Sequence, residues 1–170
     1  PYALGFAIFN DIKRICTEPT REDEFYFPDI VEKNWIEVTR DIMFNYGEKL
    51  GTMFQIKDDL LDITGLEREI GKPTMFDLKK NMLTLPIIHI LSNQSKADRK
   101  RMILDLKYLS KKNKKKKIKS MIINMGGVEY AEKKIKELSD SAKKDLDMFD
   151  ENPSKTALIS AINFNIQRTL

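Results

Sequence analysis

The sequence predicts an all-α protein. Apolar residues recur at helical spacing over long stretches, no alternating strand segment of convincing length occurs, and only 7 Gly and 6 Pro punctuate 170 residues. A hydrophobic content of 41% excludes wholesale disorder and suffices for one real core. A mean hydropathy of −0.44 is ordinary for a chain without membrane spans.

The elements follow in order. Leu4, Ala7, Ile8, Asp11, Ile12 and Ile15 share one face of a first amphipathic helix that ends before Pro19. Thr17–Pro28, with two prolines and the cluster Glu22-Asp23-Glu24, reads as a loop. A long helix starts near Asp29, a candidate cap, and runs through Trp35, Val38, Ile42, Phe44, Leu50 and Met53 to Ile63. Gly47 and Gly51 interrupt it one turn apart, each costing about 1 kcal/mol relative to alanine; close helix packing and a ligand wall explain them equally well. Gly65 terminates the helix, and Gly65–Asp77 is a polar loop punctuated by Gly71 and Pro73. Helices then span Pro86–Leu91 with Thr84 as cap, Asp98–Leu109, Lys115–Met125, Val128–Phe149 and Pro153–Arg168. Gly126-Gly127 and Asn152-Pro153 form joints, and Asn152 or Ser154 caps the last helix. No internal repeat or second composition regime appears.

Chemistry concentrates at Phe54-Gln55-Ile56-Lys57-Asp58-Asp59-Leu60-Leu61-Asp62. Asp58 and Asp62 stand one helical turn apart, Asp59 projects beside them, and Gln55 lies one turn upstream. Like charges at this spacing weaken a helix by a few tenths of a kcal/mol per pair. Placement near the helix C-terminus adds a similar penalty from the macrodipole. A bound cation would offset both, and all-oxygen ligands favour Mg²⁺, with ligand phosphates completing its shell. A solvated acidic face is the competing reading of the motif taken alone.

The longer pattern G-x-x-F-Q-x-x-D-D-x-L-D, then Gly71-Lys72-Pro73, Asp77-Leu78 and Thr84-Leu85-Pro86, resembles the second aspartate-rich motif of the trans-prenyl diphosphate synthases and the segment after it. The resemblance continues from about Tyr46 to the C-terminus, through Gly126-Gly127-Val128-Glu129-Tyr130-Ala131 and Ser154-Lys155-Thr156-Ala157-Leu158. It implies an incomplete helical bundle of the isoprenoid (terpenoid) synthase type. Residues 1–40 form an N-terminal helical segment and loop with no assigned correspondence, and 41–170 supply the C-terminal part of the synthase domain.

The resemblance implies a prenyltransferase that condenses an allylic diphosphate with isopentenyl diphosphate. In that reading Asp58, Asp59 and Asp62 are catalytic, Asp58 ligating Mg²⁺ directly and Asp59 and Asp62 holding the metal or its bound water. Phe54 and Gln55 line the isopentenyl side, and Lys72 reaches the allylic diphosphate. Where the family usually reads D-L-x-x-G-K-x-T-L-P, Asn81 and Met82 stand at the glycine and lysine positions. Met82 therefore either faces the diphosphate without donating to it or packs into the core. Asp58 and Asp59 are the only adjacent aspartates, so a first aspartate-rich motif is missing, and the chain opens at Pro1 without an initiator methionine, which suggests a fragment.

One Cys and one His exclude an intramolecular disulfide and a zinc constellation, and a reducing cytoplasm is expected. Of 30 basic residues, seven fall in Lys111–Lys119, leaving 23 against 26 acidic, so the net charge of +4 arises from this run. A solvated turn between helices is its first expectation and a peripheral membrane contact its second. The run contains no aromatic residue and sits in no nucleic-acid-binding motif, which argues against a nucleic-acid partner. Partners expected from the resemblance are the two diphosphate substrates and a second copy or a different chain. The alternatives are a non-catalytic subunit of a prenyl synthase, or a basic helical module for membrane or nucleic acid.

Overall fold

The computed structural model describes residues 29–65, 75–80 and 82–168. The expected N-terminal helix and loop, and Lys72 with its glycine and proline neighbours, lie outside them. Seven helices occur in the described residues and no strand: α1 (Asp29–Thr64), α2 (Phe76–Lys79), α3 (Leu85–Ser92), α4 (Lys96–Lys111), α5 (Lys115–Asn124), α6 (Gly127–Asp145) and α7 (Pro153–Gln167). No helix among the described residues is long and apolar enough to cross a membrane.

The described chain falls into two compact units. The first takes residues 29–52 and Leu138–Asn163; the second takes Met53–Glu137 and residues 164–168. In the first, Met43, Tyr46, Leu50, Ala142, Leu146 and Ile162 are buried. Tyr46 is fully enclosed, and its hydroxyl donates to the Leu158 carbonyl at 2.8 Å. Burial raises this phenol to about 12, so it stays neutral at any physiological pH. Lys49 pairs with Asp145 at 2.5 Å. Asn152, rather than Ser154, caps α7, its Oδ1 accepting the Lys155 N–H at 2.9 Å.

The second unit holds the acidic motif. Ile63, Leu78, Ile87, Ile90, Leu106, Leu109, Ile118 and Ile122, drawn from α1 to α5, form its core. α4 starts earlier than Asp98 because Ser95 caps it. The Ser95 Oγ accepts the Asp98 N–H at 3.2 Å while its hydroxyl donates to the Asp98 carboxylate at 2.6 Å. At the other end Asn113 takes φ 53°, the Asn113 N–H bonds the Ser110 carbonyl at 3.0 Å and the Lys114 N–H bonds the Leu109 carbonyl at 2.9 Å. This Schellman closure satisfies two terminal carbonyls and turns the chain into α5.

The two glycines between α5 and α6 differ in purpose. Gly126 takes φ 77° with open space around a Cβ position. Gly127 is helical, and a Cβ there would meet the Pro86 carbonyl oxygen at 2.7 Å and Ile122 at 2.9 Å. Gly126 is thus selected by backbone conformation and Gly127 by the close approach of α3. Gly127→Ala is expected to cost about 1–3 kcal/mol through overpacking, whereas Gly126→Asn, which tolerates the left-handed region, should cost under about 1 kcal/mol. Thermal unfolding of the two variants checks this, and an equal loss would contradict the packing role.

Candidate functional site

The acidic motif lies in the last two turns of α1, which ends at Thr64 with the Gly65 N–H on the Leu61 carbonyl at 2.9 Å. The helix has no basic residue in its last turn. Lys119 of α5 supplies one from a distance, donating its ammonium to the Thr64 carbonyl at 2.6 Å. This answers the negative end of the helix dipole beside three carboxylates.

Each carboxylate has a different environment. Asp58 is ion-paired with Arg168 at 2.6 Å, the arginine side chain being only 11% exposed. The same guanidinium lies 3.9 Å from the centre of the Phe54 ring and donates to the Phe54 carbonyl at 3.3 Å. Lys57, the basic residue inside the motif, does not serve the aspartates. It donates to the Ile166 carbonyl at 2.9 Å, satisfying a carbonyl at the C-terminus of α7. Lys57 and Phe54 together therefore fix the segment that carries Arg168.

Asp59 faces the start of α3. Its Oδ2 accepts the Leu85 N–H at 3.4 Å, and its Oδ1 lies 3.5 Å from the Gln55 amide nitrogen, both long contacts. Burial pushes its carboxyl above the usual range, the two hydrogen bonds oppose the shift, and the charges of Asp77 and Asp58 add to it. Asp62 accepts the Asp77 N–H at 3.4 Å on its carboxylate and the Met75 N–H at 2.9 Å on its backbone carbonyl. Met75 adopts φ 59° and is 2% exposed. A left-handed methionine costs roughly 1–2 kcal/mol, and it turns the chain so that Asp77 returns to α1. Asp77 sits in the first turn of α2, where the sequence reading expects loop.

Thr84 is the N-cap residue of α3 by position, as expected, but its side chain makes no cap hydrogen bond. The hydroxyl is buried and lacks a hydrogen-bond partner, one residue from the Leu85 N–H that reaches Asp59. Met82 is 53% exposed, so of the two readings of this position the one that packs it into the core is overturned.

The structure thus gathers Gln55, Asp59, Asp62, Asp77 and Thr84, with Asp58 held aside by Arg168 and Phe54. The sequence reading missed Arg168, Thr84 and Lys119 as parts of this end. Nothing near the motif signals Arg168, which is 110 residues away. No group of three or more His, Cys, Asp or Glu converges for a metal among the described residues. The donor chemistry still suits a hard cation, because Mg²⁺ is commonly held by one or two carboxylates with phosphate oxygens completing its shell. Asp59 and Asp62 supply two carboxylates without displacing Arg168.

Two measurements test these environments. In a double-mutant cycle on Asp58→Asn and Arg168→Met, the coupling is expected at about 1–2 kcal/mol, below that of a fully buried charged hydrogen bond because Asp58 is partly exposed. A coupling near zero would make the ion pair incidental. For Asp59 the folded chain binds a proton more readily than the unfolded chain, so this group lowers stability as pH rises from the unfolded carboxyl value of about 3.9 through its raised folded value. Asp59→Asn should therefore raise the melting temperature near neutral pH, and the advantage should vanish below that window. A pH-independent difference would contradict it.

The profile of the family described as polyprenyl synthetase matches residues 32–125. "Solanesyl diphosphate synthase 2, chloroplastic" of Arabidopsis thaliana is 32% identical over 126 residues, covering 74% of this chain and 29% of that protein. Among solved structures, geranylgeranyl pyrophosphate synthetase from Pyrococcus horikoshii superposes with a TM-score of 0.67 at 24% identity, over 78% of this chain and 40% of that one. A polyprenyl synthase from Caulobacter crescentus, solved in complex with calcium and isoprenyl diphosphate, gives 0.58 at 23% identity, over 78% and 40%. These two share the fold, the helical type of the isoprenoid synthases. The chain spans about a third of the length of the curated relatives it matches.

Proposed function

Because the chain belongs to the polyprenyl synthetase family, we propose that it carries the second aspartate-rich motif of a prenyltransferase condensing an allylic diphosphate with isopentenyl diphosphate. The observation that carries this reading is the acidic end of α1, where Asp59 accepts the Leu85 N–H one residue from the buried, unpartnered Thr84 hydroxyl. A hydroxyl left without a partner costs about 1–3 kcal/mol, and a diphosphate oxygen beside it would remove that cost.

In this reaction the allylic C–O bond breaks with its electron pair leaving on the diphosphate, the isopentenyl double bond forms the new C–C bond, and a proton is lost. The step is limited by charge on the departing diphosphate. Mg²⁺, when bound, supplies positive charge against it, and Asp59 and Asp62 are the residues that would hold the ion. Thr84 donates to a phosphate oxygen. Gln55 keeps the Asp59 carboxylate oriented. Asp58 would join the set only by giving up its ion pair with Arg168, which is also stacked on Phe54. Lys72 is assigned to the allylic diphosphate by its place in the motif. Exposed Met82 leaves the position of the family lysine without a donor. The complex of the Caulobacter relative supports pairing a divalent cation with an isoprenyl diphosphate in this fold.

A complete enzyme requires the other aspartate-rich motif, from a longer form of this polypeptide, a second copy or a different chain. The reading as a non-catalytic subunit has one observation in its favour, the Arg168 side chain covering Asp58. Asp59 and Asp62 weigh against it only if they bind metal with diphosphate. Calorimetric titration of the chain with Mg²⁺ and inorganic diphosphate together should give saturable heat, with little for Mg²⁺ alone. Asp59→Ala combined with Asp62→Ala should weaken binding at least tenfold, the equivalent of 1.4 kcal/mol. Equal heats for wild type and double variant would sink the assignment.

A further inference from the structure

The lysine run divides in the structure. Lys119 turns inward to the Thr64 carbonyl. Lys111, Lys112, Lys114, Lys116 and Lys117 are exposed at the corner between α4 and α5. None of these five pairs with a carboxylate among the described residues.

The outward face of α4 continues this corner. At 3.6 residues per turn, Lys100, Leu104, Lys107, Tyr108 and Lys111 fall on one side of the helix, with Arg101 and Lys112 along its border. All seven side chains are exposed. Leu106 and Leu109 of the same helix are buried, whereas Leu104 is 67% and Tyr108 62% exposed. Two large apolar side chains are thus held in water at the centre of a cationic rim. Asp105 lies at the edge of the face, and Asp98, the other carboxylate of α4, is engaged by Ser95. A recess of about 510 Å³ adjoins the face, lined by Leu78, Lys79, Lys107, Ser110, Lys111 and Asn113.

Positive charge alone would suit any polyanion. Leucine and tyrosine amid that charge suit a surface that is anionic outside and apolar a few ångströms beneath, where a helix face lies in the interface with its apolar side chains inserted. Tyrosine sits at the headgroup level of such an interface, its ring on the apolar side and its hydroxyl on the wet side. Each lysine near such a surface contributes about a fivefold gain in affinity. We propose that the outward face of α4 and the α4–α5 corner form a docking surface for an anionic phospholipid bilayer, the lysine-lined recess seating a headgroup phosphate.

The test is cosedimentation of the 170-residue chain with phosphatidylcholine vesicles, with and without phosphatidylserine, in the absence of Mg²⁺ and diphosphate. Binding is expected only to the phosphatidylserine vesicles and should weaken as salt increases. Lys111→Gln, Lys112→Gln and Lys114→Gln together should lower the affinity roughly a hundredfold. Leu104→Ser with Tyr108→Ser should lower vesicle affinity several-fold yet leave heparin binding unchanged, because heparin has no apolar layer. All these positions are exposed, and far-ultraviolet circular dichroism verifies the helical content of each variant. Failure to bind phosphatidylserine vesicles would overturn the proposal. So would vesicle binding indifferent to the Leu104 and Tyr108 substitutions, or full displacement by inorganic phosphate at matched ionic strength.

Discussion

Three carboxylates gathered at the C-terminal end of a helix are an electrostatic liability, and much of the second unit answers it. The helix dipole and mutual repulsion both oppose Asp58, Asp59 and Asp62. The chain responds with separate devices rather than one shared counterion. Arg168 takes Asp58, the Leu85 N–H and Gln55 take Asp59, the Asp77 N–H takes Asp62, and Lys119 closes the helix end. Two of these devices are weak. The contacts to Asp59 and Asp62 are long, and Asp77 adds charge beside Asp59. The arrangement therefore gives Asp58 a full counter-charge and Asp59 only long hydrogen bonds.

The same constraint explains the cost accepted in the surrounding backbone. Met75 in a left-handed conformation and Thr84 with a buried, unsatisfied hydroxyl are each unfavourable by about a kcal/mol or more. Both flank the segment that folds back onto α1. Strained or unsatisfied groups of this kind concentrate where a ligand completes the structure. A structural acidic face would gain nothing from either.

How much of this was legible depended on sequence distance. α1 could be read almost to the residue, since its apolar period and the terminating Gly65 are local signals, and the one-turn spacing of Asp58 and Asp62 placed them on one side of it. The start of α4 was missed by two residues because Ser95 lies outside the periodic stretch that reveals the helix. Arg168, Lys119 and Lys57 were illegible as partners of carboxylates or carbonyls, since each acts across 55 residues or more and any lysine or arginine in the chain was an equal candidate. Thr84 was read as a cap from its position before Leu85-Pro86, and only the side-chain geometry reveals that its hydroxyl is unsatisfied. The lysine run was legible as charge but not as shape: the apolar centre of its face comes from Leu104 and Tyr108, which precede the run and look like core residues in a periodic helix.

The central claim is that a divalent cation and a diphosphate meet at the end of α1. Nuclear magnetic resonance of the isotope-labelled chain with Mn²⁺ in place of Mg²⁺, in the presence of inorganic diphosphate, tests it most directly. Paramagnetic broadening should centre on the amides of Asp59, Asp62, Asp77 and Leu85, and should be absent with Mn²⁺ replaced by diamagnetic Mg²⁺. Broadening centred on the other acidic residues, such as Glu129, Glu132 and Glu137 of α6, with the end of α1 unaffected, would contradict the account.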